Sequence, residues 1–352
     1  MAVYGKVLAN AVSSHLSFAK INSEAVAFTK TGAFAVSTAT QIEMELDNKF
    51  YIYPANTVVT MPVSPTIGTD YAVWAKPDGT IEATADHVVP PVDKAKKIGG
   101  FHYAPGSNAA AQAGGDDTPQ INEYSFWDLT CRPVCPDPRG MVLVANQFWC
   151  DIYLTGVNAI TNGSSKYNVE IADGSSPPKI PAMFGGDGTA TYGSYTWYEA
   201  NELAAAFGKR CLTNQEFLVA AYGVTEAASR SGSDNVYAPN NTGINTSTSN
   251  PTRTGSYYPD QYLTSKWGLI QATGCMWIWG SDRGGLYGTA AWHAVTEGRG
   301  SEYNEPYGAL FGGDWSIGAN SGSRCSFWYF AASFSSNNIG SRFACDHLML
   351  VT

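Results

Sequence analysis

Charge is scarce in this chain. Asp, Glu, Lys and Arg make up 14% of its 352 residues, and the balance is acidic, with a formal net charge of −9. No basic stripe runs along it. The densest group, Lys94, Lys96 and Lys97, is short, so the electrostatic footprint of a nucleic-acid binder is missing. Long apolar runs are missing too. The opening stretch MAVYGKVLANAVSS has neither a basic end nor a sustained apolar segment, so no signal peptide and no membrane insertion are expected. Of seven cysteines only Cys131 and Cys135, in CRPVC, lie close together. That is not paired-ligand zinc spacing, and the set reads as thiols of a protein made in the cytoplasm. Histidines 15, 87, 102, 293 and 347 are dispersed, with no HxxxH or HExxH, and neither a Walker A pattern nor GxSxG occurs. Gly185-Gly186-Asp187-Gly188 lacks the lysine and hydroxyl of a phosphate cradle. No catalytic residue, no cofactor and no enzyme activity are expected. Calcium is the one candidate ion, through Asp187, Asp234, Asp282 and Glu302 in loops, but no DxDxDG loop accompanies them.

Glycine (36) and tyrosine (20) are plentiful, which favours strands, tight turns and shaped loops. The length allows one to three domains with a sizeable core. In QIEMEL, Ile42, Met44 and Leu46 alternate with Glu43 and Glu45, the period of a sheet with one wet face. Asp47-Asn48 makes a turn into KFYIY, and DYAVWAKPDGTIEA reads as a hairpin with Pro77-Asp78-Gly79 at its tip. A small antiparallel domain over roughly 20 to 130 follows, with the small-residue loop APGSNAAAQAGGDD inside it. The three prolines of CRPVCPDPRG set a boundary near 136. Beyond it, Thr196-Trp-Tyr-Glu199 and Thr213-Asn-Gln-Glu216 are capping-box patterns. The first places Trp197, Ala200, Leu203, Ala204 and Phe207 on one face, and Gly208 and Gly223 serve as stops. The second half is therefore α+β, with an exposed loop over 229 to 256.

One segment stands apart. GSRCSFWYFAASFSSNNIGSR sets Phe327, Trp328, Tyr329, Phe330 and Phe334 among Ser, Asn, Ala and Gly, with Arg324 and Arg342 its only charges. From 314 to 344 the mixture is close to that of antibody recognition loops, where rings give contact area at low entropic cost and small polar residues adapt. A glycine-rich core loop with buried rings fits the composition equally well.

The second half resembles the C-type lectin variant shared with formylglycine-generating enzymes. The resemblance is carried by TWYEANELAAAFGKRCLTNQEF, GLIQATGCMWIWG, FGGDW and the closing GSRF. SEAVAFTKTG, KKIGGFHYAPGSNAAAQAGG, INEYSFWDL, DPRGMVLVANQFWCDIYLTGVN, GSSKYNVEIADGS and CDHLML extend it from Ser23 onward. Over that span the chain is similar to the major tropism determinant family, receptor-binding variable proteins of phage. The resemblance implies an α+β chain with an N-terminal antiparallel β-sandwich (21–135) followed by a C-type lectin-like domain (136–352). Its variable region, about 314–344, is rewritten by a diversity-generating retroelement that replaces template adenines. The family's variable, ligand-binding positions match Asp314, Ser316, Gly318, Asn320, Phe327, Tyr329, Phe330, Phe334, Ser336, Asn338 and Ile339. Its fixed scaffold matches Gly313, Trp315, Gly322, Arg324, Trp328, Gly340 and Arg342. Randomising AAC codons at their adenines cannot yield Lys, Glu, Gln, Met or Trp; between 314 and 344 only Trp315 and Trp328 are of those types, both at scaffold positions.

The implied partners are a host cell-surface protein receptor, other virion components and further copies of the chain in a homotrimer; the implied location is the tail-fibre tip of a virion. Two departures matter. Only about twenty residues precede the matching region, so the family's N-terminal β-prism is expected to be absent from segment 1–20. The oxidase's cysteine pair is missing: Ile317 and Gly322 match it best, and Cys325 has Phe330 and Asn320 at the offset of five. A fixed-specificity calcium-dependent lectin or adhesin is the alternative, although Glu305-Pro306 is followed by Tyr307 rather than Asn. A purely structural virion protein is the third reading.

Overall fold

The computed structural model describes residues 18–229, 259–285, 291–294 and 298–350. The loop expected over 229–256 lies, from 230 on, outside the described residues. The chain divides into two compact units: Met1–Ala104 with Pro119–Pro133 and His347–Thr352, and Pro105–Thr118 with Val134–Asp346. Strand dominates both.

In the first unit, β1 (Ile42–Leu46) buries every second side chain, as its alternation requires. It turns into β2 (Lys49–Tyr53) with Leu46 opposite Lys49. Asp47 (φ 51°) and Asn48 (φ 59°) both take the left-handed conformation of the tight hairpin turn. β3 (Thr69–Ala75) and β4 (Ile81–Thr84) form the second expected hairpin, in antiparallel register. At its tip Asp78 Oδ1 accepts from the Thr80 amide at 2.9 Å. β5 (Lys96–Ala104) runs antiparallel along β3. A Cβ at its Gly99 would stand 2.4 Å from the Trp127 carbonyl oxygen and 2.5 Å from the Phe28 ring, so only glycine allows this approach. Phe28, Ile42, Met44, Tyr71, Val73 and Phe101 join the unit's sheets through one apolar cluster. Beside it, buried Asp128 pairs with Lys20 at 2.8 Å and accepts from the amides of Ala27 and Cys131.

The second unit contains the only helices of seven residues or more among the described residues. α1 (Trp197–Ala206) and α2 (Asn214–Ala220) each carry a complete capping box, Thr196 with Glu199 and Thr213 with Glu216. α1 buries Ala200, Leu203 and Ala204, with Trp197 and Phe207 packed on the same cluster; Gly208 (φ 66°) follows its end. Its longer or sheet-building strands, in order, are β6 (Met141–Val144), β7 (Phe148–Asp151), β8 (Trp277–Gly284), β9 (Trp292–Ala294), β10 (Ser301–Tyr303), β11 (Tyr307–Phe311), β12 (Ser326–Phe327), β13 (Ile339–Gly340) and β14 (Phe343–Met349, whose last three residues count with the first unit), and the two-residue strand Arg210–Cys211 pairs with the start of β14. β6, β7 and the start of β14 form one sheet. β12, β11, β8 and β13 form another, in which β13 runs parallel to β8.

The loop 105–118, expected within the first domain, belongs to the second unit. Its small residues let backbone meet backbone: the Ala109, Gly114 and Gly115 amides donate to the carbonyls of Ser265 (3.1 Å), Gly223 (2.9 Å) and Gln261 (2.9 Å). Arg342 is the largest charged side chain in this core, 1% exposed. Its guanidinium donates to the carbonyls of Asp151 (2.8 Å), Ile152, Ile270 and Gln271 (3.1 Å). Burial lowers its pKa, yet arginine remains charged.

Candidate binding surface

The aromatic segment is built on the edge of the β8–β11 sheet. β12 pairs with β11, Phe327 opposite Leu310. The chain then runs as an irregular loop to Asn338, and its carbonyls are occupied from outside. Phe330 O accepts from the Gly308 amide at 3.0 Å, Ala332 O from Trp197 at 3.1 Å, Ser336 O from Gly174 at 2.9 Å and Asn338 O from Trp277 at 3.0 Å. Two serines add to this. Ser333 donates to Glu305 through its amide (2.7 Å) and hydroxyl (3.1 Å), and Ser335 Oγ accepts from the Tyr195 amide at 3.0 Å. None of these ties uses a ring.

The rings are thereby left free to face out. Tyr329 is 64% exposed and stacks on Tyr307 with centroids 5.7 Å apart. Phe334, 37% exposed, lies flat on Phe330 at 4.0 Å. Phe327 and Phe330 are half-buried and rest on the cluster containing Trp277 and Leu310. Ser316 and Asn320 are exposed, and Gly318, Ser336 and Asn338 are half-buried. Two of the expected variable positions lie beneath the surface instead: Asp314 is buried, and Ile339, on β13, is fully buried. Asp314 acts from below. Its Oδ1 accepts from the Ser316 amide and hydroxyl, both at 2.7 Å, and its Oδ2 accepts from the Asn338 side-chain amide. It thus joins two stretches 22 residues apart in numbering. Its charge adds to burial in pushing the half-buried Cys325 thiol up to about 11.

The expected scaffold divides as well. Trp315 and Arg342 are buried. Gly313 takes φ 81°, and a Cβ there would meet Ser321 Oγ at 2.4 Å. Arg324 and Trp328, by contrast, are exposed, and add to the outer face rather than to the support beneath it. Residues that composition did not single out also reach the surface. Trp292 and Tyr303 sit opposite each other on the antiparallel strands β9 and β10, edge to face at 5.3 Å, and Trp292, 71% exposed, is the most exposed tryptophan among the described residues. Nothing in the local string AAWHAV, apolar apart from His293, marks Trp292 as a surface residue. Trp292, Tyr329, Phe330, Phe334 and Glu305 border a cleft of about 540 Å³.

The carboxylates weighed for calcium have other work. Asp187 closes a turn by accepting from the Thr189 and Ala190 amides, which holds its carboxyl down at about 2. Asp282 accepts from the first amide of α2 at 2.7 Å. Glu302 pairs with Arg283 at 2.6 Å, and that hydrogen bond keeps its carboxyl below the usual range; Arg283 also lies over the Trp197 ring at 4.7 Å. Asp234 lies outside the described residues. Among the described residues no group of three or more His, Cys, Asp or Glu side chains converges on one point, and no helix is long and apolar enough to cross a membrane.

Fold and surface together define a class: a β-rich, two-unit protein that presents rings and small polar side chains on a loop whose backbone is held independently of them. Residues 25–128 match the family model described as Mtd second domain. Over 336 residues the chain is 48% identical to the tail fiber receptor-binding protein of Bordetella phage BPP-1, covering 95% of this chain and 85% of that protein. Among solved structures it is similar to the Major Tropism Determinant P3c variant (48% identity, TM-score 0.88, 95% of this chain and 87% of that one). The M1 variant is similar too (47% identity, TM-score 0.87, 96% and 87%). The chain belongs to the major tropism determinant family. The tail fiber relative is, by its name, a receptor-binding protein.

Proposed function

We propose that this chain is a receptor-binding protein of a phage virion, attaching the particle to a host cell-surface protein through the surface around Tyr329 and Phe334. The observation that carries this reading is the division of labour in the loop 328–338: its backbone is fastened by amides of other elements, while its outer rings face solvent. A surface of that kind can change its side chains without losing its shape. Rings with few torsions to freeze serve as binding anchors.

In the finer reading, the first unit is the β-sandwich and the second the C-type lectin-like domain. The segment 314–344 is then the region diversified by a retroelement. Ser316, Asn320, Phe327, Tyr329, Phe330, Phe334, Ser336 and Asn338 present the ligand-binding face, with Gly318 shaping it. Asp314 and Ile339 act from beneath, Asp314 by fixing the postures of Ser316 and Asn338. The protein works as a homotrimer at the tail-fibre tip, where several weak contacts on one particle multiply. No catalysis and no cofactor enter this reading.

Adsorption of the purified protein to host cells tests it. Tyr329→Ser and Phe334→Ser should each weaken binding by about tenfold or more, the scale of losing an aromatic anchor, with the melting temperature unchanged. Unaltered adsorption in both would instead favour a purely structural role. Sequencing the gene's surroundings tests the diversification separately: a near-copy of the 3′ end differing mainly at adenines, beside a reverse transcriptase gene, is expected.

A further inference from the structure

The cleft beside the loop 328–334 carries more than displayed rings. Trp292, Tyr329, Phe330 and Phe334 supply four aromatic rings around about 540 Å³, and among the described residues that line it Glu305 is the only carboxylate, with His293 the one imidazole. Glu305 is 1% exposed, and among the described residues its oxygens accept from the Ser333 amide and hydroxyl. No Lys or Arg among the described residues forms an ion pair with it. Arg283 on β8 pairs instead with Glu302, and Arg299, in the connection before β10, pairs with Glu202. A carboxylate withdrawn from water without a counter-ion is costly to keep, and the faces of aromatic rings attract cations. The chain itself, at a net charge of −9, has no surplus of cations to offer.

We infer that this cleft receives the lysine or arginine side chain of a partner protein, whose cationic head lies against the rings with Glu305 as its counter-charge. The inference rests on the proposed receptor-binding role and names the chemistry that this part of the surface selects. A neutral apolar side chain would fill the same space but bring Glu305 no counter-charge beyond the hydrogen bonds of Ser333. A single carboxylate among rings is also a poor seat for a divalent ion, which wants six or more oxygens.

The test uses the intact chain and three small probes, the N-acetyl amides of lysine, arginine and norleucine. Binding is followed through the indole NH resonance of Trp292, assigned by its loss in Trp292→Phe. The lysine and arginine amides should give saturable shifts at about millimolar concentration, and the norleucine amide should bind about tenfold more weakly or not at all. Glu305→Gln, which keeps an acceptor for Ser333, should weaken the cationic probes about tenfold. Should that variant unfold, Trp292→Ala, altered at an exposed ring, should weaken them too, read from the Tyr329 ring resonances. Equal binding of norleucine and lysine amides overturns the inference, as does undiminished lysine binding in whichever variant folds. Host adsorption by Tyr329→Ser, measured in parallel, separates the two claims. If adsorption is lost while the cationic probes fail to bind, the cleft inference falls and the receptor-binding role stands. If adsorption is also unaffected, both fall.

Discussion

At Asp173 a single carboxyl connects the pH of the medium to the support of the displayed loop. Its side chain is fully buried; Oδ1 accepts from the amides of Ser175 (2.7 Å) and Ser176 (2.6 Å), while Oδ2 has no hydrogen-bond partner among the described residues. Its neighbour Gly174 donates to the carbonyl of Ser336. Burial pushes the carboxyl up to about 6 from an ordinary value of 3.8, the two amides offsetting only part of the cost. The folded protein therefore binds this proton more tightly than the unfolded chain. The contribution of the group is most favourable below pH ~4 and is lost as pH rises through ~6. Asp173→Asn keeps the acceptor and removes the charge. Its stability relative to the parent should be near zero at pH ~4 and reach about 2–3 kcal/mol in favour of the variant at pH ~7, read from denaturant unfolding at the two pH values. A difference that does not change with pH would contradict this account of the site.

Residues also mark how far the sequence could be read. Tyr329, Phe334, Ser316 and Asn320 were legible as surface from composition joined to family resemblance, and all four are exposed. Asp314 and Ile339 were not separable from them. Whether a side chain in an irregular loop points out or in depends on the sheet beneath, here on β13 pairing with β8, and no periodicity in the loop announces it. Trp328 illustrates the converse: a tryptophan suggests a core, yet this one is half-exposed with its indole donating to Ser326 Oγ at 3.1 Å.

At the scale of elements, what was legible was local. The two capping boxes and the Asp47-Asn48 and Asp78-Gly79 turns are each settled by four neighbouring residues, and each forms as its residue types require. What was not legible joins distant stretches. The loop 105–118 is held by carbonyls of Gly223, Gln261 and Ser265, backbone contacts that any small residues could make and that therefore leave no trace in composition. Arg342 is the strongest of these distant links. One guanidinium ties the end of β7, at Asp151 and Ile152, to the stretch at Ile270 and Gln271, and it does so three residues after β13 begins. Arg342→Met fills most of the volume but removes the guanidinium's hydrogen bonds to four carbonyls, of which Ile152 O keeps the Ile270 amide. It should cost about 3–5 kcal/mol, the scale of breaking a buried charged network, measured by chemical denaturation. Arg342→Lys, with a point charge in place of the planar fork, should cost less but not nothing. A loss under about 1 kcal/mol for the methionine variant would mean that water or a backbone shift replaces the guanidinium easily.

For the molecule as a whole, stability and recognition reside in different atoms. The core cluster of the second unit, its two capped helices and Arg342 fix the backbone of the segment 326–340, and the amides that fasten this loop come from Gly308, Trp197, Gly174 and Trp277. The outer rings add contact area without holding any of it in place. The direct measurement is a saturation library at Ser316, Asn320, Tyr329, Phe334 and Ser336, with every variant scored twice, once for protease resistance as a measure of folding and once for host-cell binding. The account predicts that most variants keep parental protease resistance while few keep binding. Loss of protease resistance in step with loss of binding across the library would contradict it.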